Sequence, residues 1–143
     1  MTSHYEYTRI NEHAKAPTRH HDAAAIDIYS SEDVTIAPGS TAAVKTGLRI
    51  KPPGGTYART VSRSGLALHS QVFATADCID PDYRGEVHML LINLGDRDFR
   101  VHLHSKIGSI VFEKFQQPLS GREVQSMDAT DRGDSRFGSS GLR

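Results

Sequence analysis

The stretch VHMLLINLG (residues 87–95) decides the fold class. Its apolar residues crowd into a run too short for a buried helix, and the run stops at Gly95-Asp96, a turn pair. The same grammar recurs in VTIAPG (34–39), TAAVKTGLRI (41–50), TYARTV (56–61), FRVHL (99–103) and KIGSIVFEKF (106–115). Nothing sustains a helical period. Pro38-Gly39, Pro53-Gly54-Gly55 and Gly95-Asp96 each lie between two strand-like runs and are predicted to be hairpins or corners. Many short strands imply an all-β sandwich or barrel. Only SRSGLALHS (62–70) predicts a helical turn, with Ser64 as its cap.

At 143 residues the chain has room for one domain with a real core. Seventeen Lys and Arg balance seventeen Asp and Glu, so no global field draws it onto nucleic acid or a membrane, and any anionic ligand must be held by local groups. The single cysteine, Cys78, cannot form an intrachain disulfide and is expected to be a small buried hydrophobe. The polar start MTSHYEYTRINEH precedes no long apolar run, so neither a signal peptide nor a membrane span is expected, and the protein should be soluble and intracellular.

Three polar segments stand out. SRSGL (62–66) places a guanidinium, a hydroxyl and a glycine N–H at a strand-to-turn junction, the donor set a phosphate needs, although Arg-Ser-Gly is equally ordinary in a cap. CIDPDYRGE (78–86) offers Asp80 as a general base and Tyr83 as a ring able to lie against a sugar; a solvated turn is its plain alternative. The tail loses apolar content from Leu119 and ends in DRGDSRFGSSGLR, whose Arg132, Phe137, Gly138 and Ser139 combine donors with an aromatic face. By composition alone such a tail is mobile.

The order of these segments resembles the trimeric dUTP diphosphatases (dUTPases) over almost the full length. AAAIDIYS (23–30), SRSGLA (62–67), CIDPDYRGE (78–86), HSKIGSIV (104–111) and RGDSRFGSSG (132–141) are similar to that family's five motifs in sequence. The resemblance implies a jelly-roll-like β-barrel over residues 1–118, assembled as a homotrimer, with a mobile arm over 119–143 that closes on a nucleotide at a subunit boundary. MLLIN (89–93) could line the trimer interface or serve as an ordinary core strand.

The implied activity is hydrolysis of dUTP to dUMP and pyrophosphate with Mg²⁺, which limits uracil in DNA and supplies dUMP for thymidylate synthesis. By resemblance, Asp80 orients and activates the water and touches the 3′-hydroxyl, while Tyr83 packs against C2′ and excludes a ribose. Arg63, Ser64 and Gly65 hold phosphate oxygens, and Asp27 supports the hydrated Mg²⁺. Arg132 grips the γ-phosphate, Phe137 stacks over uracil, and Gly138 and Ser139 donate to phosphates. Uracil is read by backbone groups of a hairpin over residues 74–79, which includes Asp77, Cys78 and Ile79.

Several positions depart from the family pattern. Ala25 and Ser62 replace a usual Gly and Pro; Thr75 and Asp77 replace glycines in the base-reading segment, removing access to positive φ. Gly-Asp-Arg-Ile-Ala-Gln becomes His104-Ser105-Lys106-Ile107-Gly108-Ser109, with Ser109 too short for the Gln it replaces, and Arg136 replaces the Gly before Phe137, straining the loop or adding a cation. The alternative is therefore a weakened or inactive dUTPase-derived binding or regulatory module, although the residues themselves indicate no regulatory partner. His102 and His104 would share a face if residues 99–104 form a strand, but no third ligand is evident. Arg132-Gly133-Asp134 resembles an adhesion tripeptide but sits inside the fifth motif, and His20-His21 carry no assigned role.

Overall fold

Alternation of buried and outward side chains runs through the strands of the computed structural model, which describes residues 3–76, 78–116, 119–138 and 141. Leu48 and Ile50 of β5 (Leu48–Lys51) are buried while Arg49 and Lys51 are exposed. Met89, Leu91 and Asn93 of β9 (His88–Asn93) are buried, and the residues between them are half-buried. This period of two lets each strand turn one face to a common core. The remaining strands are β1 (Glu6–Arg9), β2 (Ile26–Tyr29), β3 (Val34–Ile36), β4 (Thr41–Lys45), β6 (Thr56–Val61), β7 (Val72–Thr75), β8 (Cys78–Ile79), β10 (Phe99–Val101) and β11 (Lys106–Lys114).

Every ladder is antiparallel: β1 pairs with β5, β3 with β10, β2-β11-β6-β8 form one sheet and β4-β9-β7 another. The three turn signals prove to be corners rather than hairpins. Strands on either side of Pro38-Gly39, Gly54-Gly55 and Gly95 pair in different sheets, so the chain switches sheet at each turn, which winds a jelly roll. Buried Asn93 fastens one corner. Its amide donates to the Ile36 and Arg97 carbonyls at 2.9 and 2.7 Å, and its Oδ1 accepts from the Gly95 amide at 2.9 Å. Ile28, Ile36, Val44, Val87, Ile107 and Ile110, each at most 1 % exposed, fill the space between the sheets. MLLIN thus contributes Met89 and Leu91 to the core.

The single helix found among the described residues, α1 (Ser64–Ser70), begins one residue earlier than expected of a Ser64 cap. Arg63 holds the extended cap position (φ −78°, ψ 128°), and Ser64 is already helical with its side chain exposed, so among the described residues no side chain caps the helix. The expected hairpin over 74–79 is also corrected: β7 belongs to the β9 sheet and β8 to the β6 sheet, so the segment crosses between sheets. The positive φ of this crossing falls on Ala76 (55°), between the two replaced glycine positions. β10 ends at Val101, and His104 lies beyond it at φ 66° with Nε2 2.8 Å from the His13 carbonyl, so His102 and His104 form no strand pair. No helix among the described residues is long and apolar enough to cross a membrane.

Candidate active site

CIDPDYRGE folds as a short edge strand followed by a tight turn. The Tyr83 amide donates to the Asp80 carbonyl at 3.1 Å, and Arg84 Nη1 donates to the Pro81 carbonyl at 2.7 Å. Tyr83 then lies across its own loop, its hydroxyl donating to the Glu86 carbonyl at 2.8 Å. Gly85 makes this possible, because a Cβ there would stand 2.5 Å from the Tyr83 hydroxyl oxygen. Glu86 is fixed in turn, since its Oε2 accepts from the Gly47 amide at 2.9 Å.

The outcome is a cleft of about 320 Å³ that brings together Cys78, Ile79, Asp80 and Tyr83 with Thr60, Ala76, Glu86, Val87, His88 and Leu90. Cys78 is exposed in its wall, contrary to the expectation of a buried thiol, because β8 is a two-residue edge strand paired only with β6. Partial desolvation and then the Asp80 carboxylate, whose Oδ1 is 3.8 Å from Sγ, push the thiol above its ordinary 9.0. Asp80 itself is exposed and Tyr83 is 44 % exposed, so acid and ring are both open to an incoming molecule. Sequence reasoning missed Thr60, Glu86 and His88. Thr60 carried no signal, since a threonine in a strand is ordinary; here its Oγ1 is buried beside the cleft without a hydrogen-bond partner among the described residues.

A second cluster forms where β2, β11 and the start of α1 meet. Ser109 lies directly opposite Asp27 across the β2–β11 ladder and donates from Oγ to Asp27 Oδ1 at 3.2 Å. Lys106 lies three positions before Ser109, a spacing that places them on opposite faces of a regular strand. A register shift between Lys106 and Gly108 inserts one residue and returns Lys106 to the Asp27 face. Lys106 Nζ then lies 3.1 Å from Asp27 Oδ2. Gly108 lies at the shift, where a Cβ would run into the Met89 side chain. Arg63 joins the cluster by donating Nη1 to the Lys106 carbonyl at 3.3 Å, with Ser64 and Gly65 next to it at the start of α1.

Asp27, 21 % exposed, is the carboxylate of this cluster that could anchor a hydrated cation. Among the described residues no group of three or more His, Cys, Asp or Glu is placed to hold a metal ion. Mg²⁺ commonly keeps several waters and uses only one or two carboxylates.

The arm stands apart. Every described residue from 119 to 138 is exposed; Arg132 Nε donates to the Ser135 carbonyl at 3.0 Å, and Phe137 is 93 % exposed. Positive φ occurs at Phe137 (52°) and Gly138 (91°), not at Arg136, whose guanidinium sits 5.5 Å from the Phe137 ring centroid. The added side chain therefore supplies a cation without backbone strain. Asp77 and Ser139 lie outside the described residues. Among the described residues no hydrogen bond or ion pair joins Asp80 or Tyr83 to the Asp27 cluster, or the arm to either.

The dUTPase family model matches residues 12–141. A deoxyuridine 5′-triphosphate nucleotidohydrolase of Mus musculus is 42 % identical over 136 residues, covering 94 % of this chain and 83 % of that protein. Its counterpart from Variola virus is 39 % identical over 144 residues, covering 100 % and 97 %. Among solved structures, the dUTPase of Staphylococcus bacteriophage 80alpha with dUpNHpp superposes with a TM-score of 0.90 at 22 % identity, covering 99 % of this chain and 100 % of that one. A phage phi11 dUTPase mutant, described with a structural Mg(II) ion, gives 0.80 at 20 % identity over 88 % and 99 %. With the model spanning most of the sequence and relatives near two-fifths identical over nearly all of it, the chain belongs to the dUTPase family.

Proposed function

We propose that this protein hydrolyses dUTP to dUMP and pyrophosphate. The observation that carries the reading is the turn in which Asp80 and Tyr83 face one open cleft, the ring fixed on the Glu86 carbonyl, within a chain of this family. Water attacks the α-phosphorus, the bond to the bridging oxygen breaks, and pyrophosphate leaves; the Asp80 carboxylate takes up the proton the water loses. Tyr83 closes the space a ribose 2′-hydroxyl needs, so ribonucleotides are rejected by clash. Arg63, Ser64 and Gly65 present a guanidinium, a hydroxyl and an amide to the phosphates. Asp27 would hold a hydrated Mg²⁺ through water, and that ion when bound supplies neutralising charge to the triphosphate.

Among the described residues no hydrogen bond or ion pair links Asp80 or Tyr83, the Asp27 cluster and the arm, and we assign the complete site to a homotrimer in which residues 1–118 form the barrel and residues 119–143 an arm that reaches another copy. In that arrangement Arg132 grips the γ-phosphate, Phe137 covers the uracil, and Gly138 and Ser139 donate to phosphates, while backbone groups over 74–79 with Asp77 read the base. The substrate and two further copies of the chain are the partners; a soluble, intracellular location belongs to the same proposal. The named nucleotidohydrolase relatives do not favour the regulatory alternative.

The test is incubation of purified protein with dUTP and Mg²⁺. Stoichiometric pyrophosphate and dUMP are expected, and no release at micromolar protein would overturn the reading.

A further inference from the structure

We propose that Lys106 is a built-in counter-ion of Asp27, holding in the free protein the carboxylate that a hydrated cation uses, and so sets how strongly nucleotide binding depends on that cation. The inference rests on the nucleotide-hydrolase reading above but assigns a role that reading does not contain.

Each carboxylate oxygen of Asp27 already has a donor beside it. Oδ1 accepts from Ser109 at 3.2 Å and Oδ2 faces the Lys106 ammonium at 3.1 Å. A metal-bound water reaches a carboxylate by donating an O–H, and an ammonium reaches it by donating an N–H, so the two are alternative donors to the same group. They also compete in charge: beside Lys106 an arriving dication meets a neutral pair instead of a lone anion. The Lys106 and Asp27 side chains are 35 % and 21 % exposed, so water screens the pair only in part. The pairing is a product of the β11 register shift, without which Lys106 would face away from Asp27.

Lys106 suits an exchange of partners. Its carbonyl is held by Arg63, which fixes the backbone beside the first helical residues, whereas its ammonium rides on a flexible four-carbon stem. A triphosphate at Arg63 and Ser64 offers that ammonium new anionic partners. As it turns to them, Asp27 is freed for cation-bound water, and the ammonium supplies part of the phosphate counter-charge that the cation would otherwise bring. Lys106 is thus a positioning residue toward the cation and a phosphate counter-charge once nucleotide is bound.

The coupling is measured without turnover. The dissociation constant of dUpNHpp is determined by titration calorimetry with no divalent cation and with saturating Mn²⁺, and the ratio of the two is compared between proteins. Lys106→Gln removes the charge but keeps a donor for Asp27, so it should weaken cation-free binding and raise the Mn²⁺-dependent ratio about three- to tenfold. Lys106→Arg restores the charge and should return the ratio to the wild-type value. A purely structural role would shift both dissociation constants alike, and an unchanged or lowered ratio in Lys106→Gln overturns the inference while wild-type binding leaves the hydrolase reading intact. Wild-type protein that bound no dUpNHpp under either condition would instead overturn that reading, and the inference with it.

Discussion

The Ser62 hydroxyl oxygen accepts a hydrogen bond from the Ala74 amide at 2.9 Å, tying the residue before Arg63 to the strand that leads into the cleft. A proline, usual at this place in the family, offers no such acceptor. Ser62→Ala leaves the half-buried Ala74 N–H unpaired, a loss of about 1–3 kcal/mol. We expect a lower urea midpoint, faster amide exchange at residues 72–76, and a raised KM for dUTP with kcat little altered. Unchanged exchange would show that the β7–β9 ladder alone holds this segment.

Gly85 is as constrained as Tyr83. A methyl at residue 85 would stand 2.5 Å from the Tyr83 hydroxyl oxygen and 2.7 Å from Cζ, so Gly85→Ala must push the ring off the Glu86 carbonyl. Since that ring is assigned the exclusion of ribose, the ratio of kcat/KM for dUTP over UTP should fall about tenfold or more. Retained discrimination would remove Tyr83 from the specificity role.

Asp80→Asn keeps the size of the side chain and the Asp80–Tyr83 turn, which uses backbone atoms. It removes the proton acceptor. Turnover should drop about 10²- to 10⁴-fold while dUpNHpp affinity stays within about threefold. Parallel loss of affinity would make Asp80 a binding group instead.

The strand content and the turn positions were legible because period-two burial and Gly/Pro punctuation are local signals. That the turns are corners was not, since which strands pair across a turn depends on contacts far along the chain. Cys78 was misjudged for the same reason: composition favours burial of a lone thiol, but an edge strand of two residues opens it to the cleft. Asp80 and Tyr83 could be read from a compact motif, whereas Thr60 and His88 lie in the cleft only because β6 and β9 pass beneath it. The Asp27–Lys106 pair was hidden by parity. Only the inserted residue in β11, which no composition rule announces, puts both on one face.

Glu113 gives a pH prediction with a definite sign. Arg59 donates to its Oε1 through Nε at 3.0 Å and Nη2 at 2.8 Å, and the Tyr57 hydroxyl donates to Oε2 at 2.7 Å. Arg59 first, then Tyr57, hold the Glu113 carboxyl below its ordinary 4.5, and hydrogen bonding to Glu113 holds the Tyr57 hydroxyl above 10.0. A depressed acid contributes stability that is present above its unfolded value and lost as pH falls through the folded one. A raised phenol contributes stability present below its unfolded value and lost as pH rises through the folded one. The thermal midpoint of wild type should therefore exceed that of Glu113→Gln near neutral pH, with the gap closing below pH 4.5 and again above pH 10.0. A gap constant across that range would place the stabilisation in packing, not ionisation.

A chain ending at residue 118 tests both the domain boundary and the assignment of the arm. The described arm residues are exposed and their hydrogen bonds are local, as between Arg132 and the Ser135 carbonyl, so the barrel should keep its thermal midpoint within about 2 °C. Catalysis should not survive: kcat/KM should fall about a hundredfold or more once the γ-phosphate grip and the ring over the base are removed. Complementation then locates the arm. Truncated chains retain Asp80, and full-length Asp80→Asn chains retain the arm, so each alone is nearly inactive. If the arm serves another copy's cleft, unfolding and refolding the two together builds sites with an intact acid and a donated arm, and activity should rise well above the sum of the separate proteins. Mixtures no more active than that sum would confine each arm to its own chain.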